Sequence, residues 1–156
     1  MAGLGAPYEL GITPGGSLLI GEVGLQRVMR VDPDGIMRHV AGRPIVMLQG
    51  VGAFSGDGGP AVDARLYGAE GVGADAEGKT FIADMRNSRV RMVDARGSII
   101  TVAGTGLASF ALSPDGMPGT LVSAGCPGAL AVAADGRVYY PDLYTSAIRV
   151  LTLVPY

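Results

Sequence analysis

The sequence predicts an all-β fold, a partial β-propeller of about three four-stranded blades whose third blade is incomplete. Three observations predict it. Segments of strand length, rich in Val, Ile, Phe and Thr, are punctuated throughout by Gly and Asp turns. One segment occurs three times, as Gly16-Ser17-Leu18-Leu19-Ile20-Gly21-Glu22, Gly78-Lys79-Thr80-Phe81-Ile82-Ala83-Asp84 and Gly136-Arg137-Val138-Tyr139-Tyr140-Pro141-Asp142. That segment is apolar at both strand parities, so it is covered on both faces, as in blades stacked around an axis. An internal period of four strands fits a propeller, because each sheet buries its faces only against its neighbours.

The first copy takes residues 4–44, with strands at Leu10–Thr13, Ser17–Gly21, Arg27–Val31 and Ile36–Ala41 from the axis outward. The second takes 65–104, with strands within Leu66–Ala74, Lys79–Ala83, Arg89–Val93 and Ser98–Ala103 and turns at Asp75–Gly78, Asp84–Ser88 and Asp94–Gly97. The third takes 121–156, where Ile148-Arg149 falls in the place of Val90-Arg91 and the remaining residues leave no room for a fourth strand. Glu22 to Asp84 is 62 residues (84 − 22) and Asp84 to Asp142 is 58 (142 − 84), long for four strands, so each unit carries an insertion. The insertions are the connectors 43–64 and 105–120, which contain Phe54-Ser55-Gly56-Asp57-Gly58-Gly59-Pro60-Ala61 and Leu112-Ser113-Pro114-Asp115-Gly116-Met117-Pro118-Gly119. The whole chain, 1–156, thus reads as a single partial propeller domain.

These residues carry a resemblance. The run from Phe54 to Ala61, followed by Gly78 to Asp84, Arg86-Asn87-Ser88-Arg89-Val90-Arg91 and Gly97 to Gly104, resembles the NHL-repeat β-propellers, in particular the bacterial subset with a Gly-Asp-Gly-Gly connector. The resemblance covers nearly the whole chain and implies a ring of usually six blades, of which this chain is roughly half. It also implies a choice of roles, since the family hosts receptors, scaffolds and a few enzymes.

Composition narrows that choice. A net charge of −2 with no cluster of Lys and Arg argues against nucleic acid. No apolar run is long enough for a membrane span, and the first residues lack the charged and apolar regions of an export signal. An extracellular or periplasmic location is expected if a parent protein carries such a signal. With one cysteine, Cys126, no internal disulfide is possible, and without a neighbouring histidine it reads as a small apolar residue. The one histidine, His39, falls on an outer strand and reads as a surface residue.

In a four-stranded meander, the second turn of each blade and the blade-to-blade connector share one end. That end gathers Asp84, Arg86, Asn87, Asp142 and Tyr144 from the turns with Asp57 and Asp115 from the connectors. Loops held by a rigid scaffold are where binding resides, so these seven are the candidate ligand-binding residues. Gly73 to Thr80 matches the phosphate-loop pattern letter for letter, yet it leads into a strand and not a helix, and its Asp75 and Glu77 would face phosphate oxygens. Asp57 among glycines suits calcium, but one Asp is too few for a cation loop. Glu22 with Arg27, and Asp84 with Arg89, are expected to pair across their turns, with Ala147 breaking the pattern in the third copy.

No catalytic set is visible. The amidating lyases that this repeat resembles place several histidines on a metal, and lactonase-like propellers use acidic and Asn ligands, whereas this chain has one His and one Asn. The leading expectation is a scaffold that binds a protein, peptide or glycan on the long-loop face. The rival is part of a propeller enzyme, of lyase or lactonase type, whose metal and catalytic residues lie on blades absent from this chain. The expected partner is a second copy of the chain or the missing half of the ring.

Overall fold

The computed structural model describes residues 3–44 and 53–153. Two complete four-stranded antiparallel sheets form, each a meander in which neighbours in sequence pair in space. The first holds β1 (Pro7–Ile12), β2 (Leu18–Glu22), β3 (Arg27–Val31) and β4 (Met37–Ala41). The second holds β5 (Ala69–Ala74), β6 (Thr80–Asp84), β7 (Arg89–Val93) and β8 (Ile99–Ala103). A third sheet has three strands, β9 (Ala131–Val132), β10 (Val138–Asp142) and β11 (Ala147–Leu151). The predicted partial propeller with an incomplete third blade is therefore the observed architecture. The connector 43–64 includes residues 45–52, and the chain end includes 154–156, both outside the described residues.

The turns follow the same rule in every blade. Gly16, Gly78 and Gly136 have φ of 80°, 83° and 82°, the left-handed region that a glycine enters without a Cβ clash. The second turns end on non-glycine residues in that region, Gln26, Ser88 and Ser146, with φ of 55°, 50° and 54°. Both complete blades carry a bulge between the first and second strands and another between the third and fourth. Bulges add local twist, which turns one end of each sheet relative to the other.

The register gives each blade two distinct faces. Leu19 pairs with Gly11 and Arg30, and Gly21 with Val28, so these side chains share the face toward the second blade. There they meet Val72, Ile82, Val93 and Ile99 of the second blade, in a core that also holds Ala41. Phe81, Ala83 and Val90 cover the second blade's other face and pack on Leu130, Val138 and Tyr140 of the third. Each junction thus sets a forward face against the back face of the next blade. Near the axis the approach is close: a Cβ on Gly11 would lie 2.6 Å from the Val72 carbonyl oxygen, and one on Gly21 2.7 Å from that of Ala69.

Blades that radiate from an axis leave a wedge that widens outward, and the connectors fill it. Ala61, Ala64 and Leu66 are buried in the core between the first two blades. Ala61 and Ala64 accept hydrogen bonds from Gly42 and Arg43 at the end of β4, while Gly58 N–H donates to Ile99 and Ile99 N–H to Gly59. The second connector repeats the first of these contacts, with Gly104 N–H donating to Gly119.

Candidate functional site

The polar residues at the blade ends divide into a buried bracing system and an exposed loop face. In the second blade β6 ends on Asp84, whose side chain has no exposed surface. Its carboxylate accepts from Tyr67 N–H at 2.7 Å, from Asn87 Nδ2 at 2.9 and 3.0 Å, and from Arg91 Nη1 at 3.3 Å. Burial pushes its pKa up to about 6, and the Tyr67 amide, Asn87 and the Arg91 guanidinium hold it from rising further. Arg91, itself fully buried, reaches on to Asp57, with Nη2 at 2.6 Å and Nε at 3.0 Å from Oδ1. The Ser55 carbonyl at 3.3 Å and the Phe54 ring at 4.6 Å complete its surroundings. Thr101 Oγ1 donates to the second oxygen of Asp57 at 2.7 Å.

This corrects two sequence expectations. Asp84 pairs with Arg91 and not with Arg89, which instead donates to the carbonyls of Asn87 and Thr105 and stacks on Phe54 at 3.7 Å. By register Arg89 and Arg91 share the back face with Asp84 and Ile82; what distinguishes Arg91 is the arriving connector, which holds its guanidinium through Asp57 and the Ser55 carbonyl. The turn-spanning pair forms only between Glu22 and Arg27. Asp57 is the second correction, since it lies along the outer flank of the second blade, beside β7 and β8, and not among the loops at the blade ends.

The third blade repeats the brace incompletely. Asp142 is buried, accepts from Thr145 N–H at 3.1 Å, and lies 3.5 Å from Arg149 Nε. Arg149 Nη1 donates to the Ser113 carbonyl at 3.0 Å, as Arg91 does to Ser55. Asp115, the counterpart of Asp57, is exposed and has no hydrogen-bond or ion-pair partner among the described residues. The pairing of Ala147 in β11 with Asp142 does not disturb this brace, because the repeated arginine is Arg149.

The loop face is different in character. Tyr144 packs against Phe110 with ring centroids 4.8 Å apart and the ring planes tilted by 49°. On the two loops that carry this pair, Leu107, Phe110, Leu112 and Leu143 are between 57% and 78% exposed. Toward the axis, Arg86 lies over the Tyr67 ring at 5.0 Å and donates to its hydroxyl at 3.3 Å. Glu70, on the β5 bulge, is nearly buried beside Gly128; burial raises its pKa and the charge of Arg86 lowers it. Glu9 of β1 is likewise raised by burial, while the backbone amides of Val72 and Leu130 pull the other way. One carboxylate on the innermost strand of the first blade thus serves amides of the other two.

Of the seven expected residues, Arg86 and Tyr144 lie on the loop face. Asp84, Asn87 and Asp57 belong to the brace, Asp142 to its repeat, and Asp115 is exposed without a partner among the described residues. Sequence reasoning missed Phe110, Leu143, Glu9 and Glu70. Glu70 left a signal: by register it occupies the position of Tyr8 and Gly128, a charge where the other copies have none. Cys126 is half-buried beside Tyr144, which lowers the thiol's pKa against a larger rise from burial. His39 Nε2 lies 2.7 Å from the Gly42 carbonyl oxygen at the end of its own strand. The segment matching the phosphate-loop pattern is a hairpin turn, in which Asp75 accepts from the amides of Glu77 and Lys79. A groove of about 340 Å³ opens at the opposite end of the blades, between Thr13, Ser17 and Arg30 of the first and Asp75, Glu77 and Thr80 of the second.

Among the described residues no three His, Cys, Asp or Glu side chains gather where they could hold one metal ion. No helix among them is long and apolar enough to cross a membrane. No family model matches the chain. Its fold is that of solved β-propellers. A structural-genomics protein of unknown function from Bacteroides thetaiotaomicron superposes with a TM-score of 0.74 at 22% identity, over 96% of this chain and 36% of that one. An auxiliary nutrient binding protein from Bacteroides ovatus gives 0.64 at 18%, over 93% and 37%. A catalytically inactive virginiamycin B lyase from Staphylococcus aureus, solved with quinupristin, gives 0.59 at 15%, over 97% and 40%. The chain therefore spans well under half the length of each.

Proposed function

We propose that this chain is part of an NHL-repeat propeller scaffold that binds a protein, peptide or glycan on its loop face. The observation that carries this reading is the tilted and exposed Phe110–Tyr144 pair, with exposed Leu107, Leu112 and Leu143 on the same two loops. Apolar residues exposed together on loops, against a rigid sheet, mark an interaction surface. An aromatic pair offers a flat face to an aliphatic side chain or to the C–H face of a sugar, and Arg86 stands inward of it to meet a carboxylate or hydroxyl. The buried braces beneath hold the turns that present these groups. Binding to displayed peptide libraries and to glycan arrays tests the reading. Ligands should be selected by the wild-type chain and lost with Phe110→Ala plus Tyr144→Ala; selected ligands indifferent to both changes would refute it.

A second reading is a propeller enzyme whose remaining groups lie on other blades. Glu9 and Glu70, both with raised pKa near the axis, are the observation that favours it, since a partly desolvated carboxyl is suited to proton transfer. Its test is Glu9→Gln and Glu70→Gln in any longer parent protein, with activity expected to fall while the fold is retained.

A further inference from the structure

We propose that a second copy of this chain closes the ring, the forward face of the third blade of each copy stacking on the back face of the first blade of the other. This goes beyond the ligand-binding reading and does not depend on it. The same forward-to-back stacking is already used twice inside the chain, once in each core cluster. One face of each kind remains open. On the first blade, Leu10 and Ile12 are 61% and 69% exposed and share their face, by register, with Leu18, Ile20, Met29, Val31 and Met37. On the third, Ile148 and Val150 are 69% and 52% exposed and share theirs with Tyr139 and Pro141. The same faces also carry His39, opposite Met29, the bonded pair Glu22 and Arg27, and Arg137 over the Tyr139 ring; Arg27 and Arg137 already have their carboxylates in Glu22 and Asp135, so joining the faces strands no unpaired ion.

The choice of a second copy rests on one position. Arg91 and Arg149 stand at the centre of the back faces of the second and third blades, and each grips the connector arriving from the blade before, through Ser55 and Ser113. The same position in the first blade is Met29, which pairs with Ile20 as Arg91 pairs with Ile82. A blade whose predecessor belongs to another molecule receives no connector and has nothing for an arginine to grip. Methionine there fits an apolar junction between chains, and its adaptable side chain suits contact across an interface. Two such head-to-tail junctions related by a two-fold axis close a ring, where a non-closing arrangement would run on as a filament.

Light scattering coupled to size exclusion, with native mass spectrometry, tests this on the chain as it stands. The expected species is twice the 15.8 kDa chain mass. Leu10→Glu and Ile148→Glu should each give the single-chain mass, because each spoils both junctions of the ring. Mixing the two variants should restore a two-chain species, since one junction between unmodified faces survives, with affinity at least about tenfold below wild type. Circular dichroism on each variant separates lost association from lost folding. A monomeric wild type, a ladder of masses without a stop at two, or a dimer that survives both substitutions would overturn the proposal.

Discussion

Arg91 and Asp84 form an ion pair in which neither side chain has any exposed surface, with Nη1 and Oδ2 3.3 Å apart. Such a pair is costly to break from one side. Arg91→Met should destabilise the chain by about 3–5 kcal/mol, because it leaves a buried carboxylate without its counter-charge. Adding Asp84→Asn should recover part of that loss. Urea denaturation of the two variants measures it, and a loss under about 1 kcal/mol for Arg91→Met would show that the brace is dispensable.

Asp84 also fixes a pH dependence. Its folded-state pKa of about 6 lies above the ordinary 3.8, so between those values the native chain binds more protons than the unfolded one. This group's contribution to stability is therefore present below pH 4, falls as pH rises toward 6, and is flat above; the fall is roughly 3 kcal/mol for a shift of about two units. Denaturation at a series of pH values should show that fall in the wild type and a shallower slope in Asp84→Asn. An equal slope in both would remove Asp84 as its source.

The two connectors should respond differently to loss of their carboxylates. Asp57→Ala removes the partner of Arg91 and Thr101. Since the Asp57 side chain is 36% exposed, solvent screening keeps the expected cost at about 1–2 kcal/mol. Asp115→Ala should change stability by less than about 0.5 kcal/mol, as its side chain has no described partner. Limited proteolysis gives a second measurement: cleavage between Ala53 and Ala64 should quicken only in Asp57→Ala.

Ser146, exposed and at φ 54°, closes the turn beneath Tyr144. Ser146→Val should cost about 1–2 kcal/mol, because a β-branched side chain is unfavourable in the left-handed region. Ser146→Gly should lie between neutral and about 1 kcal/mol stabilising. Thermal unfolding of both variants tests the sign, and a stable Ser146→Val would mean that the turn can adopt another conformation.

The repeat was legible because the hairpin glycines and the doubly apolar second strands recur in register. Strand parity also separates Leu19 from Ile20 without coordinates. Pairings that cross from connector to blade were not legible. Asp57 and Arg91 are 34 residues apart, and only the path of the connector along β8 brings them together. The neighbouring Arg89 offered a shorter and wrong partner for Asp84. Exposed Leu107 and Phe110 left no periodic trace, since a loop that packs on little has no pattern to read. The bare position of Met29 was visible in the sequence, but its meaning needed the role of Arg91 first.

The connectors hold more firmly to the blade that follows them than to the one they leave. Among the described residues of the first connector, Ala53, Ser55, Asp57, Gly58, Gly59 and Ala61 all bond to the second blade, while hydrogen bonds from the first blade's end come from Gly42 and Arg43. The heritable unit of this architecture is accordingly a connector together with the four strands downstream of it. Gene duplication or recombination that cuts between Ala41 and Ala53 would carry each brace intact into its new place. A cut between the connector and its blade would separate Asp57 from Arg91 and leave both copies unsound.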